Sequence, residues 1–228
     1  MKNLTILAIL VCFLFGFTCV ISCSEEKKAI DSKIFKSLNP DKTGITFSNI
    51  LTENDSLNYF TYAYIYMGGG VATGDINNDG LIDVYFTGNQ VANKLYLNKG
   101  NLQFEDITEK AGVSGDDRWY TGVTMVDVNA DGFLDIYCSV SGKFGPKNNQ
   151  LFLNNGDGTF SEKAKEFGID DAGSSVQATY FDYDKDGDLD LYVANYPPTR
   201  FDSPTFVYAY NMKNVKDDMT DRLYQNNG

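Results

Sequence analysis

Three nine-residue loops constrain this chain more than anything else in it. They are Asp75-Ile-Asn77-Asn-Asp79-Gly80-Leu81-Ile-Asp83, Asp127-Val-Asn129-Ala-Asp131-Gly132-Phe133-Leu-Asp135 and Asp182-Tyr-Asp184-Lys-Asp186-Gly187-Asp188-Leu-Asp190. Each carries side-chain oxygens at its first, third, fifth and ninth positions, glycine at the sixth and an aliphatic residue at the eighth. A hard divalent cation such as calcium takes about six to eight oxygen ligands, and short Asp and Asn side chains reach it only if the backbone wraps closely. Glycine permits the sharp turn that this wrapping needs. The seventh residue, Leu81, Phe133 or Asp188, would add its backbone carbonyl. An EF-hand would also need a Glu at position twelve, where this chain has Phe86, Cys138 and Val193, so that reading fails.

Short apolar runs flank every loop: Gly70–Gly74 and Val84–Phe86, Gly122–Val126 and Ile136–Cys138, Gln177–Phe181 and Leu191–Val193. They are too short for helices and suit strands, so each unit reads as a hairpin closed by an ion-binding turn. Tyr85, Tyr137 and Tyr192 hold one equivalent place, which points to packing. A second hairpin follows each loop, in Asn93–Gly100 with Phe104 and in Asn149–Gly156 with Phe160, and Asp221–Gly228 starts a third copy. The loops begin at 75, 127 and 182, periods of 52 and 55 residues that suit about four strands. The expected fold is therefore all-β, a partial β-propeller of about three blades, with the chain ending inside a repeat as the front part of a longer protein. Glu105–Val113 and Ser161–Ile169 connect blades, with room for one helical turn. Tyr59–Met67 is rich in aromatic and β-branched residues and reads as a strand. An insertion from Asn195 to Met212 offers a possible ligand surface in Tyr196, Arg200, Phe201, Tyr208 and Tyr210.

The chain begins Met1-Lys2, runs apolar from Leu4 to Ile21 and turns polar after Val20-Ile21-Ser22-Cys23. That layout is a secretory signal over 1–22, and the box resembles that of bacterial lipoproteins, with Cys23 the lipid-bearing residue. An uncleaved anchor is the alternative, since the run approaches the ~20 residues that span a bilayer. Residues 23–40 read as a tether and 41–228 as the repeat domain, and Ser24-Glu25-Glu26 resembles a surface-export tag of Bacteroidetes lipoproteins. Cys12 and Cys19 leave with the signal, so Cys138 is the remaining cysteine of the domain. A net charge of −12 repels nucleic acid, and the lack of histidine excludes histidine-based catalysis and histidine-ligated zinc.

The loops, together with Asn-x-Leu-[Tyr/Phe]-x-Asn-x-Gly and the Phe104 and Phe160 segments that follow, resemble FG-GAP/VCBS repeats. More narrowly the chain is similar to the cartilage acidic protein and ASPIC/UnbV-type group, especially lipoproteins of Bacteroidetes. The resemblance implies a calcium-stabilised propeller related to that of integrin α chains, used for recognition or adhesion with no established catalysis. It implies calcium roles for Asp75, Asn77, Asp79 and Asp83, for Asp127, Asn129, Asp131 and Asp135, and for Asp182, Asp184, Asp186 and Asp190, about one ion per loop. The expected protein is an outer membrane lipoprotein, surface-exposed, that binds a glycan or a protein and no nucleic acid. The alternative is a scaffold or accessory part of a polysaccharide-acting hydrolase or lyase.

Overall fold

Antiparallel pairing across each nine-residue loop sets the architecture. The computed structural model describes residues 34–196, 203–216 and 220–228, so the expected signal, Cys23, Arg200 and Phe201 lie outside the described residues. All elements below belong to the unit Leu38–Gly228. A one-turn helix α1 (Pro40–Thr43), capped by the Asn39 side chain, opens it. The first sheet is β1 (Val71–Gly74), β2 (Asp83–Phe86), β3 (Lys94–Asn98) and β4 (Phe104–Asp106). After the short helix α2 (Thr108–Ala111) comes the second, β5 (Trp119–Val126), β6 (Asp135–Ser141), β7 (Gln150–Asn154) and β8 (Phe160–Glu162). The third has β9 (Ser175–Phe181), β10 (Asp190–Asn195) and, beyond helix α3 (Thr205–Lys213), β11 (Arg222–Tyr224). Within every sheet the strands lie in chain order. The loop-bearing hairpins share one register, ending in the pairs Gly74↔Asp83, Val126↔Asp135 and Phe181↔Asp190.

The sheets meet through their first strands, with β5 lying against both β1 and β9. Thr121 and Thr124 of β5 donate their hydroxyls to the carbonyls of Ser175 and Ala178, each at 2.7 Å. Close approach dictates glycine here. A Cβ on Gly70 would sit 2.7 Å from the Val123 nitrogen, and one on Gly122 would sit 2.5 Å from the Val176 carbonyl oxygen. Such contacts displace backbone, so these glycines are fixed by packing and not by an unusual φ.

Between the first and second sheets lie Tyr85, Val113, Val123, Ile136, Phe152 and Phe160; between the second and third lie Tyr137, Leu151, Ala178, Leu191 and Val193. The Val, Leu, Ile and Phe side chains among them each contribute roughly 1.5–3 kcal/mol when fully buried. Two of the buried tyrosines bond to backbone: Tyr85 donates to the Val113 carbonyl at 2.6 Å and Tyr137 to the Ile169 carbonyl at 2.8 Å. Their hydroxyls thus tie the first two blades to the connecting segments that follow, a packing role, whereas the equivalent Tyr192 is only half-buried and donates to the Asp221 carboxylate. Cys138 is fully buried, and burial pushes its thiol up to about 12, so it behaves as a small apolar residue.

The structure corrects one expectation. Tyr59–Met67 forms successive turns instead of a strand. The Asn54 side chain accepts from Ser56 and Leu57 N–H, and Asn58 from Thr61 N–H, so local asparagine bonding outweighs the β-propensity of the tyrosines. This segment packs Leu57 and Ile65 against Trp119.

Candidate metal centres

The three loops fold alike because the same short side chains capture the same backbone groups. The first aspartate of each loop accepts from the Gly80, Gly132 or Gly187 N–H, at 2.7, 2.8 and 3.2 Å. The fifth accepts from the seventh residue, Leu81, Phe133 or Asp188, at 2.8, 2.9 and 3.0 Å. In the first two loops the third-position amide is also oriented, since Asn77 donates to Asp79 at 3.0 Å and Asn129 to Asp131 at 2.9 Å. In the third loop Gln225 instead donates to Asp184 at 2.6 Å. Glycine at the sixth position has φ of 83°, 88° and 102°. The fourth position is left-handed too, at Asn78, Ala130 and Lys185. An alanine or lysine there costs roughly 1–2 kcal/mol, so the loop holds strain that its bonds offset.

The ninth aspartate differs from its neighbours. Asp83, Asp135 and Asp190 are fully buried, while the other loop acids are exposed or half-buried. One oxygen of each accepts from the second loop residue, Ile76, Val128 or Tyr183, at 3.0 Å in every case. The other accepts from Asn98, Asn154 or Asn226 of the next hairpin, at 2.8, 2.8 and 2.9 Å. Those asparagines also reach back: Asn98 donates its side-chain amide to the Ile82 carbonyl at 2.9 Å, and Asn154 to the carbonyls of Leu134 at 3.1 Å and of Ile76, in the preceding blade, at 2.9 Å. The sequence placed these asparagines only in a turn; their recurrence three residues after the Leu of each second hairpin was the available signal.

Burial pushes the Asp135 carboxyl up to about 6, opposed by the Asn154 and Val128 N–H groups and reinforced by Asp131 and Asp127. Burial raises Asp83 in the same way. A cation beside either would draw it back to the ionised form. In the third loop the carboxylate oxygens of Asp182, Asp184 and Asp190 lie within 4.8 Å of one another, and among the described residues no other three acidic or cysteine side chains come so close. The first two loops place Asn77 and Asn129 where the third has a carboxylate. Every donor is oxygen, with several carboxylates to a loop, so the residues present fit a hard dication.

The candidate ligand surface is divided. Tyr196 is packed, its ring 4.4 Å from that of Tyr64 and its hydroxyl 3.0 Å from the Tyr62 hydroxyl and 2.7 Å from Ser141. Tyr208 and Tyr210 lie on α3, which has no buried residue.

Comparison with known proteins agrees with this geometry. The model of the FG-GAP-like repeat family matches residues 62–138 and 139–193. Cartilage acidic protein 1 of Xenopus tropicalis is 34% identical over 134 residues, covering 57% of this chain and 20% of the relative. The human protein of that name is 34% identical over 104 residues, covering 44% and 14%, and the mouse protein 31% over 129 residues, covering 55% and 18%. The chain thus spans a fifth or less of the curated relatives it matches.

Proposed function

Because this chain belongs to the FG-GAP-like repeat family, we propose that it is a calcium-held recognition module, anchored on a bacterial outer membrane by lipid at Cys23. The observation that carries the reading is one all-oxygen loop built three times, each joined by its buried ninth aspartate to the following hairpin. Asp75, Asn77, Asp79, Asp83 and the Leu81 carbonyl would hold one ion. Asp127, Asn129, Asp131, Asp135 and the Phe133 carbonyl would hold a second, and Asp182, Asp184, Asp186, Asp190 and the Asp188 carbonyl a third. Bound calcium supplies the positive charge that offsets each acidic cluster. The chain's own part is to wrap those acids around one point and keep the hairpin in register, so that blade surfaces stay rigid enough to recognise a partner.

Recognition without turnover follows from the same chemistry, since a metal-bound carboxylate is a poor proton acceptor and the sequence has no histidine. Incubating the calcium-loaded chain with a polysaccharide panel is expected to release no new reducing ends; their release would move the reading to a hydrolase or lyase. The anchor has its own test. Incorporation of labelled fatty acid in cells is expected to vanish in Cys23→Ala, and label that persists contradicts lipidation there.

A further inference from the structure

A cleft of about 930 Å³ opens at the opposite ends of the first two blades from their metal loops, walled by the 50–57 segment, the β2–β3 loop, the 114–118 connection and the β6–β7 loop. Its volume lies within the range of small-ligand sites, roughly 300–1,000 Å³. Trp119 is part of the wall and only 6% exposed, yet its indole N–H has no acceptor. Buried indoles normally find one, so the wall of the cleft holds a donor without its oxygen, just behind a surface that water does not reach. Phe144 presents a 54% exposed ring on the same wall, with the Lys143 ammonium over one face at 5.1 Å from the centroid, and Asp117 an exposed carboxylate.

The charges cancel. Arg118 is paired with Asp116 and also donates to the Asn148 carbonyl at 2.9 Å, while Lys143 donates to the Ser56 carbonyl at 2.8 Å. With Asp117 the cleft thus has two acids and two bases, neutral within a chain of net charge −12. Nothing in it favours an ionic ligand. An exposed aromatic face, a free carboxylate to accept hydroxyl protons and a donor awaiting oxygen are the groups that grip an uncharged polyol.

We propose that this cleft binds a segment of neutral oligosaccharide, stacked on the open face of Phe144, with hydroxyl protons on Asp117 and, once the wall shifts to admit it, a hydroxyl oxygen on the Trp119 indole N–H. The assignment rests on the recognition reading above and locates its ligand surface away from the insertion after β10.

Trp119 is the single tryptophan of the chain, so its indole N–H resonance reports this cleft alone. The experiment titrates neutral tetrasaccharides (cello-, xylo-, manno- and chito-oligomers) into the isotope-labelled full chain in calcium. The expected result is a shifted Trp119 indole signal with at least one sugar, and binding weakened about tenfold in both Phe144→Ala and Asp117→Ala. A sugar that binds without moving that signal, with both variants unaffected, overturns the cleft and leaves the recognition reading standing. A mixed-sequence peptide pool that shifts the signal when no sugar does overturns the ligand class. Silence towards both sugars and peptides in the folded, calcium-loaded chain overturns the cleft and counts against the recognition reading as well.

Discussion

Chelating calcium is expected to lower the unfolding midpoint of this chain by about 10 °C. The size follows from linkage. An ion present at about tenfold above its dissociation constant adds RT ln 11, about 1.4 kcal/mol, for each site that exists only in the folded state. Three loops together therefore add about 4 kcal/mol, and a chain of this length shifts its midpoint by roughly 2–4 °C per kcal/mol. The proposed ions have a specific charge to offset: each loop gathers at least three aspartates, and the ninth is buried with its carboxyl resisting ionisation in two of them. Thermal melts followed by circular dichroism, in calcium and in excess EGTA, measure the shift. Coincident melts would remove the structural role.

Asp135→Ala should destabilise the calcium-free protein by about 2 kcal/mol or more, whereas Asp127→Ala should cost less than about 1 kcal/mol under the same conditions. The contrast comes from burial. Removing Asp135 strands the Val128 and Asn154 N–H groups, and the Asn154 N–H is buried beyond easy reach of water. Each stranded donor costs roughly 1–3 kcal/mol, and relief of the buried carboxyl returns part of it. Asp127 serves Asp131 and Gly132 N–H groups that are exposed and can turn to solvent. Denaturant melts in EGTA separate the two. Equal losses would mean that the ninth aspartate is a metal ligand and nothing more.

Much of the fold was legible because a regular spacing has few physical solutions. Aspartates at alternate positions around a glycine define a wrapped loop, and the apolar pairs on either side can only be strands of one hairpin. Their period then demanded about four strands per unit, and the β1–β4 and β5–β8 sheets are those units. What stayed hidden depends on contacts at variable separation. Asp83, Asp135 and Asp190 pair with asparagines 15, 19 and 36 residues onward, because the intervening loop changes length in each blade, so no fixed spacing marks the bond. The left-handed fourth position was equally silent, since Ala130 and Lys185 carry no signal for it and only Asn78 belongs to a residue type that tolerates it. At Tyr59–Met67 composition misled, because a run of tyrosines looks like a strand until the flanking asparagines close their turns. The cleft beside Trp119 gathers short pieces of four separate segments and exists only after the blades are assembled.

The most direct measurement is a calorimetric titration of calcium into the stripped full chain and into Asp75→Ala, Asp127→Ala and Asp182→Ala variants. Uptake of about three ions is expected, in the extracellular affinity class of roughly 10⁻⁴–10⁻³ M, with each variant losing one ion. No heat of binding, or a stoichiometry that none of the three substitutions lowers, would contradict the assignment of the loops as calcium sites.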